Sequence, residues 1–222
     1  NFYAYGTHRV LLSGTGLQTV SLGFPDSASG SRFQVLEITN TSDGGVVFAT
    51  SMAFVSLIST PANNLSVTTI VNSTTTLGTA QDWLSLTINN STVALGVNQT
   101  ITGDLTLNSG TLDLNGKTLT VTGNLIHAGG TLKINRGRLN VLGDYKIQAS
   151  NGGNSNGTLQ MVLAEDSVQV NGNFVMSSVN SHNGALTAGT LEVRGNFTQV
   201  WAHALNFYAY GTHRVLLSGT GL

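Results

Sequence analysis

A seven-residue pattern, apolar–x–apolar–x–Gly–Asp/Asn–apolar, recurs through the second half of the chain and constrains its fold more than any other feature. It reads Leu119-Thr120-Val121-Thr122-Gly123-Asn124-Leu125, then Leu139-Asn140-Val141-Leu142-Gly143-Asp144-Tyr145. It returns as Val168-Gln169-Val170-Asn171-Gly172-Asn173-Phe174 and as Leu191-Glu192-Val193-Arg194-Gly195-Asn196-Phe197, with a shorter copy at Ile101-Thr102-Gly103-Asp104-Leu105. Gly103, Gly123, Gly143, Gly172 and Gly195 are spaced by 20, 20, 29 and 23 residues. The alternation before each glycine has period two, so these segments are half-buried strands and not helices. Gly followed by Asp or Asn marks a corner. The expectation there is one residue at φ > 0 and a short polar side chain bonding the turning backbone.

A second strand lies within each turn. Gly110-Thr111-Leu112-Asp113-Leu114 aligns with Gly130-Thr131-Leu132-Lys133-Ile134 and with Gly157-Thr158-Leu159-Gln160-Met161. A rung of about 20 residues with three short strands and no helical period predicts an all-β chain folded as a parallel β-solenoid. Stacked rungs place Leu105, Leu125, Tyr145, Phe174 and Phe197 in a core ladder. Asp104, Asn124, Asp144, Asn173 and Asn196 form a corner ladder, whose amides are expected to bond from rung to rung. Asp113 and Lys133 are expected as opposite charges on adjacent rungs. The extra length between Gly143 and Gly172 is assigned to loops at 149–156 and around 164–167. Before residue 100 the rungs are less regular, with strands expected at 10–14, 33–39, 46–50, 65–71 and 83–89 and a loop at 24–31.

A longer repeat encloses the shorter one. NFYAYGTHRVLLSGTGL occupies residues 1–17 and returns, letter for letter, at 206–222, a period of 205 residues. Fixed-period identity marks arrays and solenoids. Residues 1–205 therefore read as one full tandem repeat, with irregular rungs over 1–100 and regular ones over 101–205, and 206–222 as the start of the next. At about 22 residues per rung and ~4.8 Å between rungs, one repeat holds about nine rungs and advances about 43 Å. Val215-Leu216-Leu217-Ser218-Gly219 is itself rung-like, so the shaft is expected to continue across the boundary without a linker.

Composition narrows the function classes. Charged residues are 9% of the chain, against roughly 25% in ordinary globular domains. The net charge of -1 offers no basic surface for nucleic acid. There is no Cys for disulfides or thiolate metal sites, and no apolar run reaches the ~18–20 residues that span a bilayer. A chain with few charges, no Cys, and Thr, Asn, Ser and Gly in its polar positions is expected of an extracellular or cell-surface β-protein.

The chemical candidates weigh against catalysis. Asp104 and Asp144 share a corner two rungs apart, and Glu165-Asp166 sits on an expected loop, but no Arg or Lys cluster accompanies either pair. Corner capping for the first and solvation for the second are the preferred readings. His8 and His213 are one repeat position, and His127, His182 and His203 lack metal-ligand spacing. A flat Thr array is not repeated from Thr120 and Thr122, where Asn140 and Leu142 follow. No enzyme activity, metal or cofactor is expected.

The segment 103–145, GDLTLNSGTLDLNGKTLTVTGNLIHAGGTLKINRGRLNVLGDY, together with the 205-residue period, resembles the giant repetitive surface proteins of bacteria, including filamentous-haemagglutinin-type adhesins. The resemblance implies a right-handed β-helical shaft or fibre at a cell surface or in a biofilm, and carries over no functional residues. The leading expectation is thus a structural repeat whose partners are neighbouring copies, end to end and bundled side by side. The second is a glycan- or receptor-binding adhesin module that uses protruding loops and exposed aromatics such as Trp83, Trp201, Tyr208 and Tyr210. Trp201, Phe207, Tyr208 and Tyr210 cluster at the repeat junction, where they serve either as packing or as ligand contacts.

Overall fold

The computed structural model describes residues 1–59, 64–65 and 68–219, with the backbone alone at 64, 65 and 82. Residues 66–67, inside the expected strand 65–71, and residues 220–222, at the end of the second copy, lie outside the described residues. Among those described there is no helix, and every strand pair is parallel. The strands form three sheets of eight, seven and ten members.

One regular turn shows how the sequence generates the fold. Leu105–Leu107 lies in the seven-stranded sheet, Gly110–Asp113 in the eight-stranded and Thr118–Val121 in the ten-stranded. The chain then returns to the seven-stranded sheet at Leu125–His127, one rung on. Leu105 pairs with Leu125, Leu112 with Leu132 and Leu119 with Leu139, so each apolar position lies over its own repeat. The result is a three-sided parallel β-solenoid with about eight turns closed on all sides. Inward residues alternate with outward ones, as Leu119 and Val121 are buried while Thr118 and Thr120 are half-buried.

The expected core ladder is present. Leu105, Leu125, Tyr145 and Phe174 are fully buried, and Phe197, one rung short of the end, is partly buried. The rings of Tyr145 and Phe174 meet edge-on at 5.3 Å, and those of Phe174 and Phe197 stack at 5.2 Å. Removing such a side chain from water is worth about 1.5–3 kcal/mol.

The corners differ from expectation in their backbone. Gly103, Gly123, Gly143, Gly172 and Gly195 are not among the residues with positive φ. They are required for closeness: a Cβ on Gly143 would sit 2.5 Å from the Gly123 carbonyl oxygen and 2.7 Å from Asn124 Oδ1. Each of these glycines from Gly123 onward donates its N–H to the carbonyl of the glycine one rung below, at 3.0 Å. The left-handed corners fall elsewhere, at Asn115-Gly116 and Asn135-Arg136 before the third strand of a turn. There the short Asn side chains tolerate the conformation.

The first hundred residues follow the same path with different devices. The expected strand 83–89 is two strands, Asp82–Trp83 and Leu86–Asn89, on different sheets. Phe54–Ser59, Thr74–Leu77, Ser91–Leu95 and Gln99–Ile101 complete the turns there.

Candidate functional site: the axial ladders and the terminal coil

The corner ladder is built from side-chain oxygens that cap the next rung's backbone. Asp104 Oδ1 accepts the Asn124 N–H at 2.7 Å, and Asn124 Oδ1 accepts that of Asp144 at 2.9 Å. Asp144 Oδ1 accepts the Asn173 N–H at 2.8 Å, and Asn173 Oδ1 that of Asn196 at 2.9 Å. The expected amide-to-amide stack is therefore corrected to a side chain-to-backbone relay. Side-chain amides join it only where Asn follows Asp, as Asn173 Nδ2 reaches Asp144 Oδ1 at 3.1 Å. The corner places Asn124 between the two carboxylates, so Asp104 and Asp144 do not repel across one rung. Burial raises the Asp144 carboxyl, but the Asn173 N–H and the Lys146 ammonium, 3.0 Å away, bring it below the usual range. An amide-to-amide contact does occur in the first half, outside the repeated motif. Asn90 Nδ2 donates to Asn72 Oδ1 at 2.7 Å, and both residues have positive φ.

The remaining polar candidates are structural fastenings. Asp166 is buried, against the expectation of solvation: its carboxylate accepts the N–H groups of Arg136, Val162 and Leu163 at 2.7, 2.8 and 3.0 Å. These three bonds close the insertion around 162–166 against the rung below. Asp113 and Lys133 stand on adjacent rungs but form no ion pair within 4.0 Å. Asp113 accepts instead from the Asn115 N–H at 2.8 Å and Asn135 Nδ2 at 3.0 Å.

His127 lies in the core, with Nε2 3.1 Å from the Gly130 carbonyl and Nδ1 3.2 Å from the Tyr145 hydroxyl. A carbonyl only accepts, so the proton sits on Nε2 and the Tyr145 O–H donates to Nδ1. Burial lowers its pKa to about 4; the Gly130 carbonyl opposes the shift and nearby His182 adds to it. Burial also lowers His182 to about 4, with the Asn180 backbone opposing, and its Nε2 accepts the Leu159 N–H at 3.1 Å. Both imidazoles are neutral struts at pH 7. Among the described residues no three His, Asp or Glu side chains converge as a metal site.

An ordered outward column escaped the sequence reading. Thr74, Thr92, Thr111, Thr131 and Thr158 stack on the eight-stranded sheet. Its mark in the sequence is a small residue before each threonine, Ser73 and Ser91 in the first half and Gly110, Gly130 and Gly157 in the second. The neighbouring column, Thr76, Ala94, Asp113, Lys133 and Gln160, has no common chemistry.

The terminal coil gathers the junction aromatics in two settings. Phe207 packs against the core, 5.0 Å from Phe197 and edge-on to it. Asn206 is buried, accepting from Gln199 Nε2 at 2.6 Å and donating to the Val200 carbonyl at 2.7 Å. Trp201, in contrast, is 75% exposed, and Tyr208 and Tyr210 lie open with their rings 5.7 Å apart. Arg214–Leu217 adds the last strand to the ten-stranded sheet, yet Val215, Leu216 and Leu217 are exposed, Leu217 at 65%. Gly219 continues the corner column: its Cβ would lie 2.2 Å from the Arg194 carbonyl oxygen. Trp83, named with the exposed aromatics, is instead fully buried, with Nε1 3.3 Å from Gln99 Oε1.

Comparison of the chain with protein-family models, with curated proteins and with solved structures finds no match. The geometry of the fold therefore carries the functional reading.

Proposed function

We propose that this chain is a structural repeat of an extracellular filament or cell-surface shaft, stacking end to end with further copies into one continuous solenoid. The observation that carries this reading is the second copy of the 17-residue segment. It extends the shaft by a paired strand, a core aromatic and a corner glycine, and carries the inward column of Leu191 and Val193 on to Val215 and Leu217. In a solenoid each repeat buries its inward aliphatic side chains against the neighbouring repeat, so a second copy that keeps the register can continue the shaft. The mechanism is mechanical. Backbone hydrogen bonds and the corner relay both run along the shaft axis, so tension loads many bonds in parallel across three sheets.

Negative-stain images of protein spanning several repeats test the proposal. Straight, unbranched rods that lengthen by about 43 Å per added repeat support it. Compact particles that do not lengthen would remove it.

The exposure of Trp201 favours a second reading, a glycan- or receptor-binding module. Binding on a glycan array that Trp201→Ala abolishes, with the fold intact by circular dichroism, would establish it in place of the first.

A further inference from the structure

The two copies of the 17-residue segment have identical sequences but occupy different faces of the shaft. Arg9–Leu12 lies in the eight-stranded sheet and pairs forward with Phe33–Ile38. Arg214–Leu217, the same four residues, lies in the ten-stranded sheet and pairs backward with Thr190–Val193. We infer that these are the two halves of one junction: consecutive repeats share this strand, so the ten-stranded sheet of one repeat runs into the eight-stranded sheet of the next. Each repeat is thereby rotated by one face about the shaft axis. The inference rests on the end-to-end stacking proposed above.

Side-chain direction is the same in both settings. Val10 and Leu12 lie beside Leu36 and Ile38, which face the core, and Val215 and Leu217 lie beside the core residues Leu191 and Val193. Leu11 and Leu216 lie beside the outward carboxylate residues Glu37 and Glu192. A slip of one residue would have reversed every one of these assignments.

The peptide groups used are complementary. Forward, the carbonyls of His8 and Leu12 accept from the N–H groups of Val35 and Thr39 at 3.2 and 2.8 Å. Backward, the N–H groups of Arg214 and Ser218, which are positions 9 and 13 of the repeat, donate to Gly189 and Val193 at 2.9 and 3.1 Å. Even positions serve one edge and odd positions the other. The upstream part agrees: Phe2 and Ala4 bond forward to Arg32, while Tyr210 and Thr212, positions 5 and 7, bond backward to Leu186 and Thr187. One strand can therefore hold both neighbours at once, as an interior strand of a parallel sheet does.

The aromatic packing is complementary too. The same Phe meets Phe33 on its forward side, at 5.5 Å between rings for Phe2, and Phe197 on its backward side, at 5.0 Å for Phe207. Sandwiched between the two, it would join the core ladders of successive repeats. The glutamates bracket the shared strand on its outer surface: Glu37 pairs with Arg9 in the forward setting, and Glu192 accepts from the Ser218 hydroxyl at 2.6 Å in the backward one.

The chain has no cysteine, so introduced pairs report directly. A tandem protein of residues 1–205 followed by 1–222 is made with either of two pairs. The first is Glu192→Cys with Leu216→Cys, and the second is Leu216→Cys with Glu37→Cys of the second copy. Neighbouring parallel strands hold Cα atoms about 4.8 Å apart, within disulfide range. Near-complete cross-linking of both pairs, in rods twice the length of a single repeat, is the expected result. Cross-linking of the second pair alone in a rod of doubled length would overturn the shared strand and leave end-to-end stacking standing. Two rods meeting at a flexible hinge, with the first pair unlinked, would overturn both. Cryo-electron microscopy of the tandem gives an independent reading, since the loop at 149–156 should reappear one face around the shaft from its predecessor, and its return on the same face would overturn the rotation.

Discussion

The two halves of the shaft reach the same cross-section by different means. In residues 101–200, one set of corner glycines, one relay of Asp and Asn oxygens and one column of core residues are reused at each turn. In residues 1–100, the path is the same but the fastenings are individual. Gln99 shows this best: its Oε1 accepts from the Gln81 N–H at 3.2 Å and from Trp83 Nε1 at 3.3 Å, while its Nε2 donates to the Thr79 carbonyl at 2.7 Å. Ser73, Thr75 and Ser91 are likewise buried and bonded to backbone. A solenoid does not need a sequence repeat, then. It needs inward volume and a partner for every buried polar group, and repetition is one economical way to supply both.

Core truncation should separate the halves most. Phe174→Ala removes a ring from a continuous aromatic column, and a loss of about 3–5 kcal/mol is expected in urea unfolding. A loss below about 1 kcal/mol would show that the column is not a packed ladder. Acid is the next test, because both buried imidazoles lie in the second half. Their folded pKa is about 4, against about 6.5 in an unfolded chain. The unfolded state therefore binds protons first. Stability is full above pH 6.5, falls between 6.5 and 4, and falls no further below that on their account, by about 3 kcal/mol for each imidazole. Hydrogen exchange at pH 4.5 should locate the loosening around His127 and His182 and leave the Gln99 region protected; uniform loosening would contradict the assignment.

Corner glycines come third. Gly143→Ala drives a methyl into backbone and should destabilise by about 1–3 kcal/mol. Gly78→Ala, in the first half, meets nothing within 4 Å and has no positive φ, so a change within about 0.5 kcal/mol is expected. Equal melting temperatures for the two variants would refute the close-approach account. Among the destabilising variants the smallest loss is expected from Asn124→Ala, which leaves the Asp144 N–H without its cap, at about 1–2 kcal/mol by thermal denaturation.

Much of this was legible in the sequence where the period is strict. The Gly–Asp/Asn corner gave the fold, the core column from Leu105 to Phe197, and the stacking of Asp104 through Asn196. Gly143 was recognised as a corner, but its reason was not, because close approach and positive φ both select glycine and a sequence does not distinguish them. The Thr column on the eight-stranded sheet is not legible from the apolar period, because its members face outward and follow Ser in one half and Gly in the other. The burial of Trp83 is not legible in the sequence because its partner, Gln99, lies 16 residues away and belongs to no motif. The burial of Asp166 is equally hidden, because only folding brings the Arg136 N–H beneath it. The junction residues could be named as a cluster, but only their surroundings separate Phe207, which packs, from Trp201, which does not.

The corner relay has a further consequence. In every step the oxygen belongs to the earlier rung and the N–H to the later one, from Asp104 to Asn196. The shaft thus has a sense of direction written into its hydrogen bonds, like an arrow whose point and tail differ in chemistry. At this corner, two identical ends brought face to face would oppose donor to donor or acceptor to acceptor. A shaft extended through this relay is vectorial, with every unit facing the same way.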